Sequence, residues 1–259
     1  MTQLNTELQV EQLEKKSRLI IRDDHYELPG LRDLLEAAAA RKIKISLLDT
    51  GRFAPEELEL LADFPFSFYT SDLARPDFQV LSQIDVRLKP RGCRLFYFLH
   101  GELKPEAELF HEVELFDSIF VSSREKDWPA ESLSRLAGEV SRSRSSLVYY
   151  HHKNPEENLS EVGLKNCWLH ISNKYFEEDS EIMLLDMVKA IKRNGGRLAL
   201  HVDRGQSYSF VKELAEAGAF LVFNLPPLEP SSKMFSLVEG WRKKKLPEKA
   251  YYLHQELMA

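Results

Sequence analysis

Cysteine is nearly absent from this chain of 259 residues, which carries only Cys93 and Cys167. Each opens an apolar run, CRLFYFL and CWLHI, so each reads as a small buried hydrophobe. No CxxC pair occurs, which argues against a zinc ribbon or a thioredoxin-like redox motif. Long apolar runs are missing too, and none approaches the roughly 20 residues that span a bilayer. The opening segment MTQLNTELQVEQLEKK is polar and lacks the apolar centre of a signal peptide. The expected location is therefore the cytoplasm, with no membrane partner. A basic field is lacking as well: the formal net charge is −6, with both signs mixed throughout. The short runs SRSRSS (Arg142, Arg144) and WRKKK read as solvated faces or helix-end charges, which argues against a nucleic-acid partner.

Motifs that announce a chemistry are also missing. There is no GxGxxG after the first strand, no GxSxG, no GxxxxGK[ST], no HExxH and no HxH on the first strand. These absences remove the usual dinucleotide, nucleophile-elbow, P-loop and zincin readings.

What the sequence does contain is a rhythm. Hydrophobic residues make up 43% and charged residues 29%, an ordinary globular composition able to bury a large core. Short β-branched or aromatic runs alternate with amphipathic stretches of helical period. Nine strands are predicted, at residues 18–22, 43–48, 66–70, 94–99, 118–122, 147–150, 168–171, 197–202 and 220–223. Helix starts are marked by Pro55, Pro105 and Pro129, and Asn194-Gly195-Gly196 marks a helix stop. Leu31, Leu34, Leu35 and Ala38 recur at core-facing spacing.

Consecutive βα units of uniform length imply an α/β fold, a single (β/α)8-like TIM-type barrel over residues 1–259, incomplete or with one extra strand. Flanking helices are expected at 1–17 and 233–258. The segment from Ala40 aligns without gaps on the segment from Asn194, so that Asp49 and Gly51 match Asp203 and Gly205; both read strand, Asp-x-Gly, helix.

In such folds sites lie beyond the carboxyl ends of the strands. The residues there include Asp49, His100, Arg124, His151, Lys174, Asp203 and Arg204, with His170 and His201 in the last turns of their strands. Strand alternation puts Ala199, His201 and Asp203 on one face, and His170 shares a face with Ser172. A histidine–aspartate cluster at this position can bind a divalent metal, exchange protons or hold an anion. Strand-end polar residues also serve as helix caps and loop anchors, and Ser122-Ser123-Arg124 reads as an N-cap or as a phosphate cradle.

The stretch from Leu28 to Asp72 resembles the middle of radical SAM enzymes. Tyr26-Glu27-Leu28-Pro29 stands where that family has a Glu-Pro turn, and Leu48-Asp49-Thr50-Gly51 where it has an Asn-Gly turn. The resemblance implies a barrel scaffold. It does not extend to an iron–sulfur cluster, because no CxxxCxxC loop supplies the thiolates.

Two functions follow. One is a catalytically degenerate barrel binding a small molecule or a protein partner, with no cofactor predicted. The other is a hydrolase or lyase, in which a divalent metal remains open. There His201, Asp203 and His170 would carry the chemistry, and Asp49, His100, Arg124, His151 and Arg204 would hold the substrate. An enzyme predicts these side chains converging with mutually perturbed pKa values; a scaffold predicts them scattered and locally satisfied.

Overall fold

The computed structural model describes residues 18–102, 108–124, 126–177 and 180–224. The terminal helices expected at 1–17 and 233–258 lie outside the described residues. Two compact units hold the chain: the first contains the described residues through Gly101 with Leu115–Asp117, the second the remainder.

The first unit runs β1 (Arg18–Arg22), α1 (Leu28–Ala40), β2 (Lys44–Leu48), α2 (Pro55–Leu61), β3 (Ser67–Ser71), α3 (Phe78–Leu88) and β4 (Arg94–Leu99). Its strands pair in parallel in sequence order, with Ile21 opposite Leu47, Leu47 opposite Phe68, and Phe68 opposite Leu95. The second unit runs β5 (Ser118–Ser122), α4 (Ala130–Arg142), β6 (Ser146–His151), β7 (Cys167–Ser172), α5 (Ser180–Arg193), β8 (Arg197–Val202), α6 (Tyr208–Ala217) and β9 (Phe220–Phe223). It too is an open parallel sheet in sequence order. The expected α/β class of consecutive parallel βα units is what the chain builds, and each predicted strand falls within a residue or so of its expected bounds.

The local causes are simple. Strands β3, β6 and β7 are buried along their whole length, as parallel strands covered on both faces must be, and their sequences are correspondingly unbroken by charge. In α4, Leu133, Leu136, Ala137 and Val140 form one buried stripe at helical spacing. Each such leucine contributes about 1.5–3 kcal/mol by leaving water. Asp77 and Ser207 cap α3 and α6 by accepting the amides of Gln79 and Phe210. Gly218 ends α6 at φ +119°, donating to the Leu214 carbonyl, a left-handed position that favours glycine.

Two crossovers differ from expectation. The helix expected from Pro105 is, in its described part, a pair of tight 3-10 turns at Glu108–Phe110 and Val113–Leu115. The amides of both His111 and Glu112 bond back to the Glu108 carbonyl, closing the first turn, and Leu109, Phe110 and Val113 are buried from these turns rather than from one helical stripe. Between β6 and β7 the connection is likewise a 3-10 segment, Glu157–Val162.

Candidate functional site

The carboxyl ends of β6, β7 and β8 gather most of the histidines singled out by the sequence. Register decides how. Tyr150 lies opposite His170, and His170 opposite Ala199. Because neighbouring residues of a parallel pair share a face, the small Ala199 leaves room above it. There the imidazoles of His170 and His201 meet: His170 Nδ1 and His201 Nε2 are 2.9 Å apart, and one must donate to the other. The Tyr150 ring lies 4.3 Å from that of His170 and 6.4 Å from that of His201. His152 continues the row, its ring nearly parallel to that of Tyr150 with centroids 6.4 Å apart.

One step further along β8, Asp203 is held from two sides. Ser172 Oγ donates to its Oδ2, and Asn224 Nδ2 donates to its Oδ1 at 2.7 Å. Asn173, buried at the end of β7, fixes the loop: its Oδ1 accepts the amides of Asp203 and Arg204, and its Nδ2 donates to the Arg204 carbonyl. The amide of Asn173 thus replaces hydrogen bonds that the ladder no longer supplies where β8 ends.

Electrostatics follow from this packing. Burial pushes the His201 pKa down, opposed by the charge of Asp203 and assisted by Lys174, so the imidazole is neutral at physiological pH. Burial lowers His152 as well, and the nearby Lys174 and Arg124 cations take it further, to about 4. Asp203 resists the raising effect of its partial burial, because the bonds from Ser172 and Asn224, the charge of His201 when protonated and the charge of Lys174 hold its carboxyl below the ordinary value. Neutral bases stand here beside an ionised carboxylate.

Other residues that the sequence put forward have local partners. His151 is buried with both nitrogens engaged, Nε2 on the Asn154 carbonyl at 2.9 Å and Nδ1 on Tyr149 Oη at 3.3 Å. Arg204 enters the site through its backbone, with its side chain exposed. Arg124 is exposed after β5, its amide on Ser122 Oγ.

Asp49 and His100 belong to the first unit. There Asp49 makes a bidentate pair with the buried Arg75, at 2.9 Å from both Nε and Nη2, and accepts Thr70 Oγ1 at 2.7 Å and the Gly51 amide at 3.0 Å. His100 donates its amide to Asp72 Oδ1, which with Oδ2 on Gly101 pins the end of β4. Beside Asp49 a cavity of about 220 Å³ is lined by Arg22, Leu48, Thr50, Ser71, Leu73 and Ala74.

Sequence reasoning assigned no role to Tyr150, Ser172, His152 or Lys174, and Arg75 escaped it altogether. The signal for the first four was alternation, since Tyr150 and His152 have the same parity, as do His170 and Ser172. Arg75, 26 residues from its partner, left no local signal.

Among the described residues no group of three or more His, Cys, Asp or Glu is placed to hold a metal ion, and no helix is long and apolar enough to cross a membrane. No family model matches the chain, and no curated protein matches it. Among solved structures it is similar to the deoxyribose phosphate aldolase of Aeropyrum pernix, at 15% identity and a TM-score of 0.36, covering 85% of this chain and 92% of that one. It is also similar to the HpcH/HpaI aldolase of Desulfitobacterium hafniense DCB-2, at 9% identity and a TM-score of 0.38, covering 83% and 98%. Likeness at this level bears on neither reaction nor substrate.

Proposed function

We propose that this chain is an enzyme of the lyase or hydrolase class, performing acid–base chemistry on a small molecule at the carboxyl ends of β6 to β8. The observation that carries the reading is the contact between the buried imidazole of His170 and the half-buried one of His201, beside an ionised carboxylate at Asp203. A binding scaffold predicts strand-end side chains each satisfied locally. Asp49 and His151 fit that description, whereas His170 and His201 converge from two strands and bond to each other.

In this reading His201 Nε2 carries its proton and donates to His170 Nδ1. His201 Nδ1 is then a lone pair, with no hydrogen bond from the described residues. It takes a proton from substrate or from water, and the imidazolium so formed is held by the bond to His170 and by the charge of Asp203. A neutral imidazole at physiological pH is the form that a base requires, and burial secures it. Asp203, fixed by Ser172 and Asn224, orients and stabilises rather than exchanging protons itself.

The test needs no known substrate. Wild-type protein and His201→Gln are each incubated with a cell extract of small molecules, and mass spectrometry follows what each consumes. Depletion of a compound by wild type alone supports the reading. Indistinguishable profiles from the two proteins overturn it.

A further inference from the structure

Three consecutive strands of the second unit each deliver a basic residue just past their carboxyl ends: Arg124 after β5, His152 after β6 and Lys174 after β7. Register brings the first two together. Ser122 lies opposite Tyr150, so Arg124 and His152, each two residues further on, have the same parity as Tyr150. The ladder is prolonged by the Ser123 amide on the Tyr150 carbonyl and by the His152 amide on Ser123 Oγ at 2.8 Å. Lys174 sits with its Nζ 4.7 Å from the centre of the Tyr175 ring, and the Tyr175 ring stands edge-on to His152 at 6.0 Å.

The charge of Lys174 acts on the Asp203 carboxylate, but without a direct pair. Neither Arg124 nor Lys174 makes an ion pair among the described residues, whereas Arg22, Arg52, Arg87 and Arg91 are paired with carboxylates. Tyr175 Oη approaches His152 Nδ1 at 3.4 Å; with the tyrosine donating there, the proton of His152 rests on Nε2, which is buried and has no partner. A buried donor without an acceptor is costly, and two adjacent cations raise the local potential. The cluster is also contiguous with the proposed reaction centre, because the rings of His152, Tyr150, His170 and His201 follow one another in a row.

We infer that Arg124, His152 and Lys174 form an oxyanion-binding subsite, which holds a phosphate or carboxylate group of the substrate next to the His170–His201 pair. Arg124 and Lys174 supply charge-assisted hydrogen bonds, and His152 donates from Nε2 as a neutral imidazole. Tyr150 is the spacer that sets how far the anionic group lies from the atom that reacts. The substrate class is thus a small organic phosphate or carboxylate. This rests on the reading of the histidine pair as a reaction centre, but it is tested separately.

The experiment titrates the folded protein with inorganic phosphate and, in parallel, with acetate, following histidine ring resonances by NMR. The expected result is a saturable shift of the His152 signals, with affinity reduced about tenfold or more in Arg124→Ala and in Lys174→Ala, the loss of one charge-assisted bond. Tighter binding of phosphate points to a phosphate ester as substrate, and tighter binding of acetate to a carboxylate. Absence of saturation with either anion, or an unchanged affinity in the double variant, overturns the subsite. The same titration in His201→Gln separates the two ideas. Anion binding that persists in a protein whose wild type consumes nothing refutes the catalytic reading alone. Catalysis without anion binding refutes the subsite alone.

Discussion

Asp49 offers the sharpest test of how the first unit is held together, because everything around it is buried and counted. Its carboxylate is fully buried and accepts from Gly51 N, Thr70 Oγ1, and the Nε and Nη2 of an Arg75 side chain that is 8% exposed. Among the described residues the Arg75 side chain has one other partner, the Phe53 carbonyl at 2.6 Å. Asp49→Ala therefore strands a guanidinium in the interior with one acceptor, and leaves the Thr70 hydroxyl and the Gly51 amide without theirs. Breaking a buried pair from one side costs about 3–5 kcal/mol. That is a large share of the roughly 5–15 kcal/mol by which a domain is stable. Arg75→Met should cost less, because the remaining carboxylate keeps two neutral donors and can take up a proton. The double variant, with neither charge left, should cost less than the two single changes added together. Urea unfolding by circular dichroism reads the loss, and hydrogen exchange at the amides of β2 and β3 locates it; tryptophan emission is a poor probe here, since Trp128 and Trp168 lie in the second unit. A cost below about 1 kcal/mol for Asp49→Ala, or strict additivity in the double variant, would show that the pair is not the anchor described.

Three further expectations follow from the same geometry. Once a consumed compound is identified, His201→Gln should lower turnover by about 10²–10⁴-fold, the usual contribution of a positioned base, with unfolding midpoints little changed; a turnover loss under about threefold would remove His201 from that role. Stability should fall with acidity through the histidines at these strand ends: the folded pKa of His152 is about 4 against an ordinary 6.5, so the unfolded chain takes up the proton first. The stabilisation is complete above 6.5 and drains away as pH falls towards 4, with His151 and His201 acting in the same sense. Denaturation at pH 7 and pH 5 should therefore show a smaller loss in His152→Gln than in wild type; equal losses would refute the assignment. Gly51→Ala should destabilise by about 1–3 kcal/mol, because φ is +87° there and a Cβ would stand 2.6 Å from the Ala74 carbonyl oxygen; thermal unfolding that leaves the midpoint in place would contradict the strain.

How far the sequence was legible depends on the range over which each feature is encoded. Strands such as CWLHIS and RLALHV were legible because a largely buried strand needs a predominantly apolar run, which is a local property. The Ala199–His201–Asp203 face was legible for the same reason, since alternation needs one strand only. Contact between His170 and His201 was not, because it depends on the register of β7 against β8. The lengths of the loops and of α5 set that register, and no pattern within either strand reveals it. The Asp49–Arg75 pair was hidden likewise, by a partner from the next βα unit.

The internal repeat shows what such long-range partners decide. Asp49 and Asp203 occupy the same place in two matching segments, one residue past a parallel strand and two before a glycine. Each accepts a hydroxyl from a neighbouring strand, Thr70 on the next one for Asp49 and Ser172 on the preceding one for Asp203. What separates their fates is Arg75. It closes over Asp49, satisfies both oxygens and leaves the carboxylate no exposed face. Asp203 receives the neutral Asn224 instead, remains partly exposed and keeps a negative charge near His201 that no guanidinium caps directly. A carboxylate already neutralised by a buried guanidinium is an anchor, whereas one held only by neutral donors can stabilise a charge that forms next to it. Equivalent positions in the chain are thereby divided into a closed structural post and a partly exposed carboxylate by residues that the repeat does not contain.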